Sequence, residues 1–313
     1  MTAPTALRPA AHHDLVLHEG TAQLVDLMVP YVRDGAAAGD HVLVVGEADF
    51  VDAVLAAVPG AHGVRCAGSE RYPGRELRLF RGVRDDLVDA HVRVRLVNQM
   101  PVMTVHQWYE WRRYEAAANV FLDPHSVWGA CAYDTSAMAP DVLADLRASH
   151  SGVRSADGHL PSDHVPDLGR LVEGYLDLPP HPVEATRPVL ELADPTPAAA
   201  RHAVEDLATR CGLPEDAAES AVLAASETVT NGWLHGRAPV SLRAWAGPGR
   251  LTVTVSDTGR GAHPLVGLLP ARPESLSGRG MWMLHQLVGD ISHRHDDAGY
   301  TVRFSVDGAT GAA

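Results

Sequence analysis

Glu227, Asn231 and His235 recur every four residues in SETVTNGWLHG, so a helix through this stretch stacks a carboxylate, a carboxamide and an imidazole on one face. A Glu and an Asn one turn apart suit a hydrated magnesium ion, which takes hard oxygen donors and keeps several waters. Such an ion needs phosphate oxygens to complete its shell, and two glycine-bearing segments downstream offer a setting for them. In DTGRG, Asp257 ends a strand just before Gly259 and Gly261. A carboxylate there can accept a hydrogen bond from an exocyclic amine such as that of adenine, and the glycines let backbone approach a flat ring without a Cβ. In SGRGMWML, Gly278 and Gly280 open a helix whose free N–H groups and dipole suit phosphate. The stretch between Asp257 and that helix is longer than a compact domain normally carries without purpose. It is expected to act as a lid ordering over nucleotide.

The elements that must position these groups follow from pattern. Residues 220–236 form one long helix whose opposing stripe is Ala218, Ala221, Val222, Ala225, Val229 and Trp233. His235 reads as a helix-end residue that complements the C-terminal dipole, and Met281 and Trp282 as core of the lid helix. RPVLELA is a strand, PTPAAARHAVEDLATRCG a helix with Pro in its first turn and Gly at its end. VSLRAWA and RLTVTVSD flank GPG as a hairpin, and DISHRH and YTVRFSV close the unit. The expected architecture is an α+β sandwich, a mixed sheet with helices on one face.

Ahead of it, strands DLVLH, HVLVVG, HGVRC, VRVRLV and SVWGACAY alternate with helices at 21–39, 48–58, 75–90, 105–122 and 140–149. That order predicts a three-layer α/β domain with a parallel sheet, and the near-continuous apolar run HVLVVG suits a strand buried on both faces. The Pro-, Gly- and Asp-rich stretch that follows is expected to be a linker. The predicted limits are 11–152 for the first domain, 153–187 for the linker and 188–307 for the second domain.

Composition narrows the function. With 313 residues and 46% hydrophobic content, the chain can bury two ordinary cores. Its 26 basic against 39 acidic side chains, net −13, argue against nucleic acid or an anionic membrane as partner. No apolar run is long enough to span a bilayer and no signal-peptide core opens the chain, so a cytoplasmic location is expected. Cys66, Cys131 and Cys211 have no metal-binding spacing and read as reduced thiols.

Residues 188–306 resemble the GHKL, or Bergerat-fold, ATPases, and among them the bacterial anti-sigma factor and serine-kinase switch proteins. SETVTNGWLHG matches the family's N box, DTGRG its first glycine box and SGRGMWMLHQL its second. The resemblance implies ATP and magnesium as cofactors. It has Asn231 coordinate the metal, Glu227 position or deprotonate the attacking hydroxyl, and Asp257 read adenine. Gly259, Gly261, Gly278 and Gly280 would shape the lid and phosphate site, with Met281 beside them, and Thr301 would face the adenine pocket. Gly232 stands where the family usually has Ala, which costs roughly 1 kcal/mol of helix propensity without removing a ligand.

The first half is similar to the MEDS sensory domain, through HHDLVLHEG, VPYVRDGAAAGDHVLVV, RRYEAAANVFL and CAYDTSAMAPDVLADLRASH. This resemblance implies a RecA-like fold, an actinobacterial regulator and a sensed hydrocarbon-like small molecule. EADFVDAV follows HVLVVG without GxxxxGK[ST], so no P-loop is expected. His13, Glu115, Cys131, Asp134 and His150 match family positions; the plain reading of a buried Cys beside a Tyr and an Asp is packing.

Together these readings predict a transcription regulator of the anti-sigma type. It would bind ATP and magnesium, sequester a sigma factor, phosphorylate a serine of an anti-anti-sigma (STAS) partner, or both, acting as a serine/threonine protein kinase. A homodimer is compatible with this. HRHDD lies between strands, not on a phospho-acceptor helix, which disfavours an autophosphorylating sensor kinase. The alternatives are a nucleotide-binding module without turnover, and a small-molecule receptor whose ATPase-like half is a docking surface.

Overall fold

The structure is a computed structural model describing residues 12–65, 76, 79, 82, 93–103, 105–122, 127–136, 138–161, 168–269, 279–288 and 290–308. The chain divides into two compact units. One draws on 1–71, 79–103 and 115–171, the other on 72–78, 104–114 and 172–313. Apart from 76, 79 and 82, which are helical, the expected helix at 75–90 lies outside the described residues, as does the glycine Gly278.

The first unit is built on a seven-stranded sheet. Its strands are β1 (His12–His18), β2 (His41–Gly46), β3 (His62–Arg65), β4 (Val94–Gln99), β5 (Val127–Asp134), β6 (Gly152–Ser155) and β7 (Gly158–Pro161). The order is β3-β2-β4-β5-β1-β6-β7, parallel throughout except for β7, which pairs antiparallel with β6. Val42 to Val45 of β2 are all buried, as a strand covered on both faces requires. Helix α1 (Gly20–Ala37) presents Leu24, Met28, Tyr31 and Val32 to the sheet at helical spacing. It continues through Pro30, whose missing N–H removes one ladder bond. Helices α2 (Ala48–Ala57) and α4 (Pro140–Ser149), with the part of α3 (Val105–Leu122) from Glu115 onward, complete the described helical layers; the earlier part of α3 groups with the second unit. The stretch expected to be a linker departs from expectation. Residues 152–155 and 158–161 form β6 and β7, with Gly152 to Pro161 as a polar hairpin beside β1. Both strands are short and rich in Gly, His and Ser, which is why composition pointed to a linker.

After the short helix α5 (Leu168–Val172), the second unit is a five-stranded sheet in the order β11-β12-β10-β9-β8. The strands are β8 (Leu190–Ala193), β9 (Ser241–Gly247), β10 (Arg250–Asp257), β11 (Asp290–Asp296) and β12 (Gly299–Asp307). Every pairing is antiparallel, which corrects the mixed sheet expected from the sequence. The β9–β10 turn is Pro248-Gly249, with Gly249 at φ 63°, the left-handed position that glycine fills without a steric penalty. Helix α6 (Pro197–Arg210) is capped by Thr196, whose hydroxyl accepts the Ala199 N–H at 3.1 Å. Helix α7 (Glu215–Leu234) packs through small residues: Ala217, Ala221, Ala224, Ala225, Thr228, Val229 and Gly232 are buried. Trp233, placed on the apolar stripe by spacing, is 42% exposed instead, and its indole N–H donates to Pro195 O at 2.9 Å. Small side chains let the helix lie close on the sheet, leaving no room there for an indole. Helix α8 (Arg279–Leu287) returns the chain to β11.

Candidate functional site

The second unit contains a cavity of about 260 Å³ between α7, the ends of β10 and β12, and the start of α8. Ligand pockets typically run from roughly 300 Å³ upward, so the space suits a small organic ring with its polar attachments leading out. Thr228, Asn231 and Gly232 line it from α7, Val255 and Asp257 from β10, Tyr300 and Val302 from β12, and Gly280 and Met281 from α8. His235 and Gly236 at the end of α7, and Gly261, Ala262 and Val266 after β10, close the wall.

Asp257 is the polar anchor of this cavity. It is buried, and one carboxylate oxygen, Oδ1, accepts the backbone N–H of Gly259 at 2.7 Å and of Arg237 at 3.1 Å. These two bonds fix the carboxylate plane. The chain leaving α7 passes so close that a Cβ at Gly236 would lie 2.3 to 2.5 Å from the Asp257 carboxylate. Only glycine fits there. Gly261 sits at φ 89°, and a side chain there would strike the Tyr300 ring.

On α7, Asn231 Nδ2 is buried without a protein hydrogen-bond partner. The amide is therefore held by packing, and a half-turn about its last torsion brings the oxygen to the same place. Glu227, one turn earlier, stands beside the cavity, not in its wall. A Cβ at Gly280 would lie 2.3 Å from Glu227 Oε2, so carboxylate and helix start touch.

The rest of the wall is braced from behind. Tyr300 meets His293 Nδ1 at 2.5 Å, and His293 Nε2 meets His285 Nε2 at 3.4 Å. Burial holds both imidazoles well below their ordinary pKa, with the Arg113 charge acting in the same direction. Neutral rings with Tyr300 donating to Nδ1 satisfy this line of contacts. Arg113, fully buried and grouped with this unit, donates from Nε to Pro264 O at 2.6 Å and from Nη2 to Val266 O at 2.9 Å. Glu110 pairs with the same guanidinium. A fixed cation thus holds the segment that carries the Val266 wall.

Comparison with known families gives two matches. The model of the histidine kinase-like ATPase domain matches residues 192–306. That of MEDS, the MEthanogen/methylotroph, DcmR Sensory domain, matches residues 12–151. The chain joins a MEDS domain to a histidine kinase-like ATPase domain. Among solved structures, the chain is similar to the RsbU and RsbW domains of a Mycobacterium tuberculosis protein, at 20% identity and a TM-score of 0.27. That match covers 39% of this chain and 33% of the other, so it spans about a third of that chain's length. No curated protein matches the chain.

In the ATPase domain, Asn231, Asp257, Gly261, Gly280 and Met281 meet at one cavity, and Gly259 binds the Asp257 carboxylate through its N–H. Thr301 does not join them. It stands opposite Ser256 in the β10–β12 ladder and its hydroxyl bonds Ser256 Oγ at 2.8 Å. Its strand neighbours Tyr300 and Val302 line the cavity, so alternation turns Thr301 to the other face. Tyr300, Thr228 and Gly236 were missed by sequence reasoning. Gly236 was visible as the residue ending NGWLHG, and Tyr300 as the aromatic beginning the last strand. His235, read as a helix-end residue, caps α7 with its N–H on Asn231 O at 2.8 Å and also lines the cavity.

In the MEDS domain, four of the five matched positions converge. His13, Glu115, Cys131 and His150 offer ligand atoms within 4.8 Å of one another, all buried. Asp134 is elsewhere, accepting the Gly20 and Ser136 N–H groups. Burial lowers His13 to about 4, against a hydrogen bond to Asn119, and raises Glu115 to about 8, against one from Tyr133. The described helices include none long and apolar enough to cross a membrane.

Proposed function

We propose that the chain is a regulator of the anti-sigma type whose ATPase domain binds ATP with magnesium. The observation that carries this reading is that Asn231 and Asp257, brought from a helix and a strand, face one cavity whose wall includes Gly280. The residues suit the ligand in kind. Asp257 keeps Oδ2 for the amine of adenine while backbone N–H groups hold Oδ1. Val255, Val302, Met281 and Tyr300 supply apolar walls for the ring. Asn231 offers an amide oxygen for magnesium, and the start of α8 offers N–H groups for phosphate. Magnesium, when bound, neutralises charge on the phosphates.

Glu227 is the general base in this reading. It accepts the proton of a serine hydroxyl as that oxygen bonds the γ-phosphorus. The bond from phosphorus to the β–γ bridging oxygen breaks, and ADP leaves with its electron pair. The acceptor serine belongs to a STAS-domain anti-anti-sigma protein, and the unphosphorylated partner competes with a sigma factor for the chain. The choice of these partners rests on the resemblance of SETVTNGWLHG, DTGRG and SGRGMWMLHQL to the switch-protein motifs. The MEDS domain, RecA-like without a P-loop, supplies the regulatory input, and the chain acts in the cytoplasm.

The test incubates the full chain, γ-labelled ATP, magnesium and the cognate STAS protein, beside Glu227→Ala. Label on the partner from the wild type alone supports the kinase. Binding of ATP without label from either protein supports a nucleotide module that signals without turnover.

A further inference from the structure

The geometry of the MEDS domain points to a second, separate site: we infer that His13 Nε2, His150 Nε2, Glu115 Oε2 and Cys131 Sγ together bind one divalent transition-metal ion, zinc by the chemistry of the donors. The four side chains come from four elements. His13 lies on β1 and Cys131 on the neighbouring β5, where Cys131 stands beside Leu15 in the ladder, so both side chains share one sheet face. Glu115 comes from α3, and His150 from the residue after α4. None of the four is more than 4% exposed.

Three of the six separations are those of a coordination shell, and all lie within 4.8 Å. His13 Nε2 is 3.4 Å from Cys131 Sγ and 3.4 Å from Glu115 Oε2, and His150 Nε2 is 3.6 Å from Glu115 Oε2. A tetrahedral zinc with arms of about 2.0 Å to nitrogen and oxygen and about 2.3 Å to sulfur has edges of roughly 3.3 to 3.6 Å. The two gaps to Glu115 Oε2 are long for hydrogen bonds, the His13–Cys131 contact is an ordinary one for sulfur, and all three match those edges. Glu115 Oε2 and His150 Nε2 are buried with no hydrogen-bond partner. Buried polar atoms are rarely left so.

The surrounding groups turn each ligand toward a common centre. Asn119 spends both amide hydrogens on the carbonyls of Glu115 and Ser149, at 2.8 Å each. Its oxygen can only accept, so His13 carries its proton on Nδ1 (3.3 Å) and points a bare Nε2 inward. His150 Nδ1 lies 2.7 Å from Leu146 O, another pure acceptor, which fixes the same tautomer. The Tyr133 hydroxyl donates to Glu115 Oε1 and leaves Oε2 facing the imidazoles. Such outer hydrogen bonds are what orient metal-binding histidines and carboxylates. Without a cation, two nitrogen lone pairs converge on a carboxyl oxygen in a dry interior.

Charge and donor type select the ion. A thiolate and a carboxylate sum to −2, and a divalent cation makes the buried group neutral. Two imidazoles, one thiolate and one carboxylate oxygen are borderline-soft donors suited to zinc and ill suited to magnesium or calcium. Four protein ligands make a closed site, the arrangement of a structural ion that pins β1, β5, α3 and the end of α4 together.

The test uses the full chain, purified without a polyhistidine tag, with metal content measured by mass spectrometry after gel filtration. About one equivalent of zinc per chain is expected. Cobalt(II) added to the stripped chain should give tetrahedral d–d bands and a thiolate-to-cobalt charge-transfer band. Cys131→Ser should lose the charge-transfer band while keeping its far-UV circular dichroism. Asn119→Ala, which removes an outer partner and no ligand, should weaken zinc binding 10- to 100-fold. A wild-type chain that stays metal-free and gives no cobalt spectrum overturns the inference. So does a cobalt spectrum that Cys131→Ser leaves unchanged. ATP binding is read separately and is unaffected by either result.

Discussion

Two of the buried polar groups among the described residues are built in opposite ways. Around Asp257 and Asn231 the chain leaves a cavity, and glycines at 236, 261 and 280 keep backbone close to the space. Around Glu115 four buried side chains bring their donor atoms within 4.8 Å of one another, and Glu115 Oε2 and His150 Nε2 have no hydrogen-bond partner. A site for a molecule that comes and goes needs walls and an approach. A site for an ion needs donors at ligand spacing and no room besides. The first predicts exchange and dependence on ligand concentration, the second a tightly held resident.

Removing metal should separate the two most strongly. Structural zinc contributes on the order of 10 kcal/mol to small domains, so chelation should lower the MEDS-domain unfolding midpoint by about 10 °C or more. The ATPase-domain transition should not move; calorimetry of the full chain reads both. Equal shifts in both transitions would erase the contrast.

Glu227→Ala should come next. Loss of a general base lowers transfer of label about 10²- to 10⁴-fold, while ATP affinity stays within about threefold. Asn231→Ala should weaken ATP binding roughly tenfold or more with magnesium present and little in its absence, a difference seen by titration with and without the metal.

Tyr300→Phe removes one buried hydrogen bond to His293 and should cost about 1 kcal/mol of stability, read as a small drop in the ATPase-domain midpoint. The gentlest effect is of pH. His285 and His293 are neutral when folded because burial lowers their pKa. Below about pH 6.5 the unfolded chain takes up protons that the folded one does not. ATPase-domain stability should therefore fall between pH 7.5 and 5.5, and a flat profile would contradict the buried pair.

The residues that meet at the ATPase-domain cavity were largely legible because they sit in short motifs. Glu227 and Asn231 lie on one helix, and Asp257 and Gly259 on one strand end, so local spacing already joins them. Thr301 was misread because its facing depends on register with β10, which becomes visible only when Ser256 is seen opposite. Trp233 was misread because the helix meets its sheet through alanines. The MEDS residues were named only through their resemblance to family positions, and their convergence was not legible. His13, Glu115, Cys131 and His150 are drawn from four elements far apart in sequence, so no motif spacing shows that they meet; the fold of β1 against β5 does. Arg113 left only its i, i+3 spacing to Glu110 as a signal, since the two carbonyls it also binds carry none.

The reading of the cavity is tested most directly by calorimetric titration of ATP with magnesium into the full chain, beside Asp257→Ala. The account predicts one site per chain for the wild type and an affinity at least about tenfold weaker for the variant, as expected for a lost hydrogen bond to a charged group. No heat of binding from the wild type, or equal affinity in both proteins, would contradict it.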